Sequence, residues 1–182
     1  MISVRIRSFT AQLYNCHDGL AAVEFALVLP FLLFLYLAGY EVTQASSTYR
    51  KLTDTTVEIA NIVSQYAAMS SSDVTGVFTA SAQIMAPRST SPLSIVLSAV
   101  STDANSKPTV AWSRSYHSAS PLAVGSVVSM PTGLASANTT YILVQTTYQY
   151  TPLIGSAYVA PISMHSSIYM IPRRSTTIIY TG

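Results

Sequence analysis

Glu24 is the one charged side chain in an otherwise apolar run over residues 20–40. An acidic residue costs about +2.5 to +3.5 kcal/mol at the centre of a membrane helix and less toward its edge. A carboxylate retained in such a place is a functional candidate by default. The residues before it suggest its chemistry. Gly19 precedes Leu20, and a chain cut between them gains an amino terminus four residues from Glu24, about one helical turn away. The bland alternative is a Glu24 that snorkels to the interface.

No other residue set has the spacing of a chemical site. His117 and His165 are far apart in sequence and lack acidic neighbours. Beyond the apolar run the acids are Glu41, Asp54, Glu58, Asp73 and Asp103, three of them on one expected helix. There is no Gly-x-Ser-x-Gly elbow, and two scattered histidines do not make a metal site. The expectation is therefore no catalytic residue, no metal and no cofactor. Asn138-Thr139-Thr140 is a formal sequon that reads as a turn before a strand. Arg173 and Arg174 read as caps or pairs within the domain. Trp112 and the strand tyrosines read as core or sheet surface rather than a carbohydrate platform.

Charged residues make up only 9% of the 182, with a formal net charge of +2. That leaves no basic footprint for nucleic acid. With 49% apolar residues the chain is not of disordered composition. Cys16 is the single cysteine and precedes the cut, so no disulfide or thiolate site can form within one mature chain.

The elements that must place Glu24 begin with a membrane helix. Residues 20–40 span about 31 Å as a helix, against a hydrocarbon core of about 30 Å. Pro30 is expected to kink it or loosen one turn, which membrane helices tolerate. Tyr36 and Tyr40 suit the far interface. Arg5 and Arg7 precede the segment, and the next basic residues are Arg50 and Lys51. This bias keeps the N-terminus cytoplasmic and sends the rest of the chain across the membrane. A cleaved signal peptide is the alternative, with Gln44-Ala45-Ser46 as a weak site, but the apolar run is too long for one.

Past Tyr40 the helix is expected to continue, with Val42, Ala45, Tyr49, Leu52, Thr56, Ile59, Val63 and Tyr66 as a one-faced stripe interrupted only by Thr56. Ser70-Ser71-Ser72-Asp73 is expected to end it and cap a second helix lined by Val74, Val77, Phe78, Ala82 and Met85, stopping before Pro87. From residue 93 the period becomes two. Leu93, Ile95, Leu97 and Ala99 predict a strand, residues 103–108 a turn, and Val110, Trp112, Arg114 and Tyr116 its hairpin partner. Residues 117–139 read as a long connection with a short strand at 126–129. Residues 141–150 are the strongest strand, with Ile142, Val144, Thr146, Tyr148 and Tyr150 on one face. Further strands are expected at 162–171 and, as a last edge, at 176–180. Helices followed by strands predict an α+β fold, an antiparallel sheet packed on the long helix.

Together these features resemble the TadE-like pseudopilins of the tight-adherence (Tad, or Flp) pilus system, within the type IV pilin-like superfamily. Residues 19–30, Gly-Leu-Ala-Ala-Val-Glu-Phe-Ala-Leu-Val-Leu-Pro, carry the resemblance. In that family a basic leader ends in Gly, and an acid and an aromatic stand fifth and sixth after it, as Glu24 and Phe25 do. Val110-Ala111-Trp112-Ser113, Tyr148-Gln149-Tyr150-Thr151-Pro152 and Pro172-Arg173 are weaker echoes. Ile171 stands where an Arg is common, and the cysteines many relatives carry in the outer domain are missing.

The resemblance implies a cytoplasmic leader 1–19, a transmembrane helix 20–40, a helical stalk and short second helix 41–86, and a β-rich extracytoplasmic domain 87–182. It implies cleavage between Gly19 and Leu20 by a prepilin peptidase, a bacterial inner-membrane location, and partners among other pilins, the inner-membrane assembly platform and membrane lipid. A freed α-amine has a reference pKa near 8 and is cationic at neutral pH. Docking beside a neighbour, Glu24 could meet that neighbour's amine and fix one axial register, since a paired carboxylate in low dielectric costs much less than a lone one. Phe25 would supply apolar packing. The other function class is an unprocessed, single-span accessory or binding protein; a soluble exported enzyme is the remote third.

Overall fold

The computed structural model describes residues 18–154, 156 and 159–182. The leader's Arg5, Arg7 and Cys16, and Gly155 in the later loop, lie outside the described residues. The chain divides into two compact units at Thr43/Gln44. Helix α1, Asp18–Val63, contributes to both.

In the first unit α1 is exposed along its length. Its apolar side chains include Leu27, Phe31, Phe34 and Tyr36, all open to the surroundings. A run of that kind requires an apolar medium rather than water. Pro30 lies inside the helix, which continues on both sides of it. Having no N–H, Pro30 leaves the Ala26 carbonyl without its helical donor. Thr43 Oγ1 donates to the Gly39 carbonyl at 2.8 Å, which keeps that hydroxyl paired within the helix.

The second unit is α+β. It holds residues 44–63 of α1, strand β1 (Ala68–Met69), helix α2 (Ser71–Met85), and strands β2 (Leu93–Thr102), β3 (Pro108–Tyr116), β4 (Thr140–Tyr150), β5 (Ile162–Met170) and β6 (Ile179–Tyr180). An antiparallel sheet runs β3-β2-β4-β5, and β1 pairs with β6 in parallel. One core joins Leu52, Ile59 and Val63 of α1 and Val77, Phe78 and Met85 of α2 to the sheet's Leu93, Ile95, Leu97, Ile142, Val144 and Tyr148. The period-two faces expected for β2 and β4 are the faces that meet the helices.

Several expectations are corrected. The buried stripe of α1 is not the one expected: Val42 is 69% and Tyr49 48% exposed, while Thr48, Thr55 and Ala60 are buried. The threonine hydroxyls on this face are absorbed by carbonyls one turn back. Thr48 donates to Gln44 O and Thr55 to Lys51 O, both at 2.8 Å. The helix stops at Val63, so Tyr66 lies beyond it, and β1 separates it from Ser70. On α2, Ser81 is fully buried where Ala82 was expected, its hydroxyl donating to Val77 O at 2.7 Å.

The strand expected at 126–129 is reduced to a single bridge, Thr109 with Val127. The expected last edge strand shrinks to Ile179–Tyr180 and pairs with β1 rather than with the main sheet. Both segments are held mainly by other bonds. Gly125, at φ +80°, donates to Val110 O at 2.8 Å, a backbone turn that glycine makes at little cost.

Candidate processing and assembly segment

Gly19 is the second residue of α1, and Leu20, Glu24 and Phe25 follow within its first two turns. All four are exposed, Leu20 by 67% and Phe25 by 60%. Leu20 and Glu24 are i and i+4 on one helix, so they share a face. A methyl group added at Gly19 would meet nothing within 4 Å. Folded packing therefore does not require glycine there. Glycine within a helix lowers its stability by about 1 kcal/mol relative to alanine.

Among the described residues one helix, beginning near the N-terminus at Gly19, is long and apolar enough to cross a membrane. A family model described as TadE-like protein matches residues 19–61. The chain carries a TadE-like segment. The match opens at Gly19, takes in Leu20, Glu24, Phe25 and Pro30, and ends two residues before α1 does. The sheet lies outside it. No curated protein and no solved structure matches the chain. The match covers the apolar, membrane-length helix and none of the sheet.

The remaining sequence candidates fall elsewhere in the chain. His117 lies at φ +55°, stacks on Tyr116 at 3.9 Å and places Nδ1 3.0 Å from Leu93 O. His165 sits on β5, bonded to Thr147 and Ser163. The two histidines belong to different edges of the sheet. Among the described residues no cluster of three His, Cys, Asp or Glu exists.

Trp112 is core. Its Nε1 donates to Ile178 O at 2.8 Å, and its ring meets that of Tyr180 at 5.7 Å. Arg114 lies 3.9 Å over the Tyr180 ring, and its hydrogen bond holds that phenol below the usual tyrosine range. Burial pushes Tyr148 and Tyr169 up instead. Asn138 takes a left-handed turn conformation, φ +53°, directly before β4, as the turn reading of the sequon requires.

Arg173 caps α1 from a distance. Its N–H donates to Ser64 O at 2.9 Å and its guanidinium to Asn61 Oδ1 at 3.2 Å. This is the in-domain role expected of it. The β1–β6 pairing carried no sequence signal, because two-residue strands are too short to show a period.

Proposed function

We propose that this chain is a minor pseudopilin of a Tad-type pilus, cut between Gly19 and Leu20 by a prepilin peptidase. The TadE-like match carries the reading, because it begins at the residue whose glycine the fold does not need. In this reading Gly19 is there for the peptidase's recognition rather than for folded packing. Glycine lowers the cost of unwinding the helix at the cut.

In this reading residues 20–40 cross the inner membrane with the N-terminus cytoplasmic, and the second unit lies on the far side. The assembly platform and other pilins are its partners. The α-amine freed at Leu20 is cationic at neutral pH, and Glu24 pairs with it or with the amine of a docked neighbour. The shared face of Leu20 and Glu24 supports this pairing. An ion pair formed only in one axial register selects that register during assembly.

Intact-mass measurement of protein taken from membranes of a pilus-forming cell tests the reading. A chain beginning at Leu20 is the expected result. Retention of residues 1–19 identifies instead an unprocessed, membrane-anchored accessory protein, and loss of residues 1–45 an exported one.

A further inference from the structure

The sheet has two faces, and the helices cover one. The outer face is itself divided. At one end Val100, Tyr141 and Leu143 are buried under the 117–139 connection through Leu122, Val128 and Met130. Tyr169 Oη ties that roof down by donating to Ser129 O at 3.0 Å. Toward the other end Val96, Gln145, Thr147, His165 and Ser167 are among the residues that line a concavity of about 410 Å³, with Ala119 of the connection at its side. That lies within the range of about 300–1,000 Å³ for small-ligand sites.

The lining mixes hydroxyl, amide and imidazole groups with a larger C–H surface, and carries no Asp, Glu, Lys or Arg. It is also organised. Thr147 faces His165 and Gln149 faces Ser163 across the β4–β5 ladder. Gln149 Nε2 donates to Ser163 Oγ at 3.0 Å. Ser163 Oγ lies 3.1 Å from His165 Nε2, and His165 Nδ1 lies 3.1 Å from Thr147 Oγ1. In either neutral tautomer the imidazole uses one hydroxyl hydrogen and leaves the other, on Thr147 or Ser163, free to point outward. The relay thus fixes the ring and keeps one donor available.

An anion would meet no cationic side chain in the lining, and a metal cation no carboxylate. An apolar molecule would strand the hydroxyls and the Gln145 amide, at the cost of their lost hydration. A ligand whose own groups both donate and accept, and which bears no charge, fits all of them. Val96 gives its C–H surface an apolar patch. We propose that this concavity binds neutral polyhydroxylated ligands, short neutral glycans being the class. The site lies within residues 94–167 and does not depend on a cut after Gly19.

The test uses the full chain in lipid nanodiscs free of glycolipid. A printed array presents neutral glucose-, galactose- and mannose-based oligosaccharides beside sialylated ones, and the best-retained neutral oligosaccharide is then titrated. Saturable binding of neutral oligosaccharide is expected, weakened at least tenfold by His165→Ala and by Thr147→Val with thermal unfolding unchanged. Gln145→Lys, on an exposed position, serves as a third variant and is expected to weaken binding likewise. A blank neutral array, a preference for sialylated glycans, or equal affinity in all three variants overturns the proposal.

Discussion

Thr56 Oγ1 on α1 lies 2.6 Å from Thr146 Oγ1 on β4, with both side chains buried. Thr56 also donates to Leu52 O at 2.8 Å, so its single hydrogen is used there. Thr146 is then the donor across the joint, and its other candidate acceptor, Ser166 O, is a distant 3.4 Å. The helix is thereby fixed to the centre of the sheet by a polar contact inside an apolar core.

Thr56→Val should therefore destabilise the second unit by about 1–3 kcal/mol, because it strands a buried hydroxyl. Thr146→Val removes the donor and the need for it. The double variant should cost less than the two single costs together, with a coupling of about 0.5–3 kcal/mol. Chemical unfolding of the four proteins measures this, and strict additivity would rule out the contact as a partner-dependent one.

Thr56 also shows how far the sequence could be read. It stood out as the one break in an apolar stripe, and the position was right, but its partner 90 residues away was not legible. The stripe itself was misplaced at Val42 and Tyr49, since threonines at 48 and 55 hide their hydroxyls in the helix and pack as apolar residues. β2 and β4 were legible because one face of each is buried, from Leu93 to Ala99 and from Thr140 to Tyr150. The capping of α2 was legible because Ser70 and Asp73 act locally. Arg173 was legible as an in-domain contact, but the strap that pairs β6 with β1 was not, because its backbone bonds join segments about 110 residues apart and leave no mark on residue type. The segment that the family model matches was legible at Gly19, Glu24 and Phe25 from residue type, spacing and resemblance together.

The strap should loosen when its anchor goes. Trp112→Phe removes the bond to Ile178 O and keeps most of the ring, so a loss of about 1–3 kcal/mol is expected. Ile179 and Thr181 amides donate to Ala67 O and Met69 O. Their hydrogen exchange should accelerate more than that of the β2–β4 ladder. Uniform acceleration would show that Trp112 supports the whole core rather than the strap.

The start of α2 should respond to acid. Ser70 Oγ accepts from Asp73 N–H at 3.2 Å, and the Asp73 carboxylate accepts from Ser70 N–H at 2.8 Å. Bonds from the Ser70 hydroxyl and N–H hold the Asp73 carboxyl below its usual range. A lowered folded pKa means that the contribution is complete above the unfolded value, about 3.9, and is lost as pH falls through the folded value. Protection of the Ser70 and Asp73 amides, as the exchange rate relative to an unstructured chain at the same pH, should fall below about pH 4 in the native protein. Asp73→Asn should abolish that dependence, and Ser70→Ala should cost about 1 kcal/mol at neutral pH. A dependence that persists in Asp73→Asn belongs to another group.

Gly19 and Glu24 should fail at different steps. Gly19→Leu adds bulk where the folded chain has open space, so the helix should form normally and membrane insertion should be unchanged. Only cleavage should stop, leaving residues 1–19 on the protein. Glu24→Ala removes the carboxylate without touching the bond that is cut, so the mature chain should still begin at Leu20. Its assembly should fall sharply, because the freed amine then meets no acid in the bilayer. Mass spectrometry and pilus counts on the two variants separate the steps. Uncleaved Glu24→Ala protein would move Glu24 from docking to peptidase recognition, and normal piliation by cleaved Glu24→Ala would remove it from both.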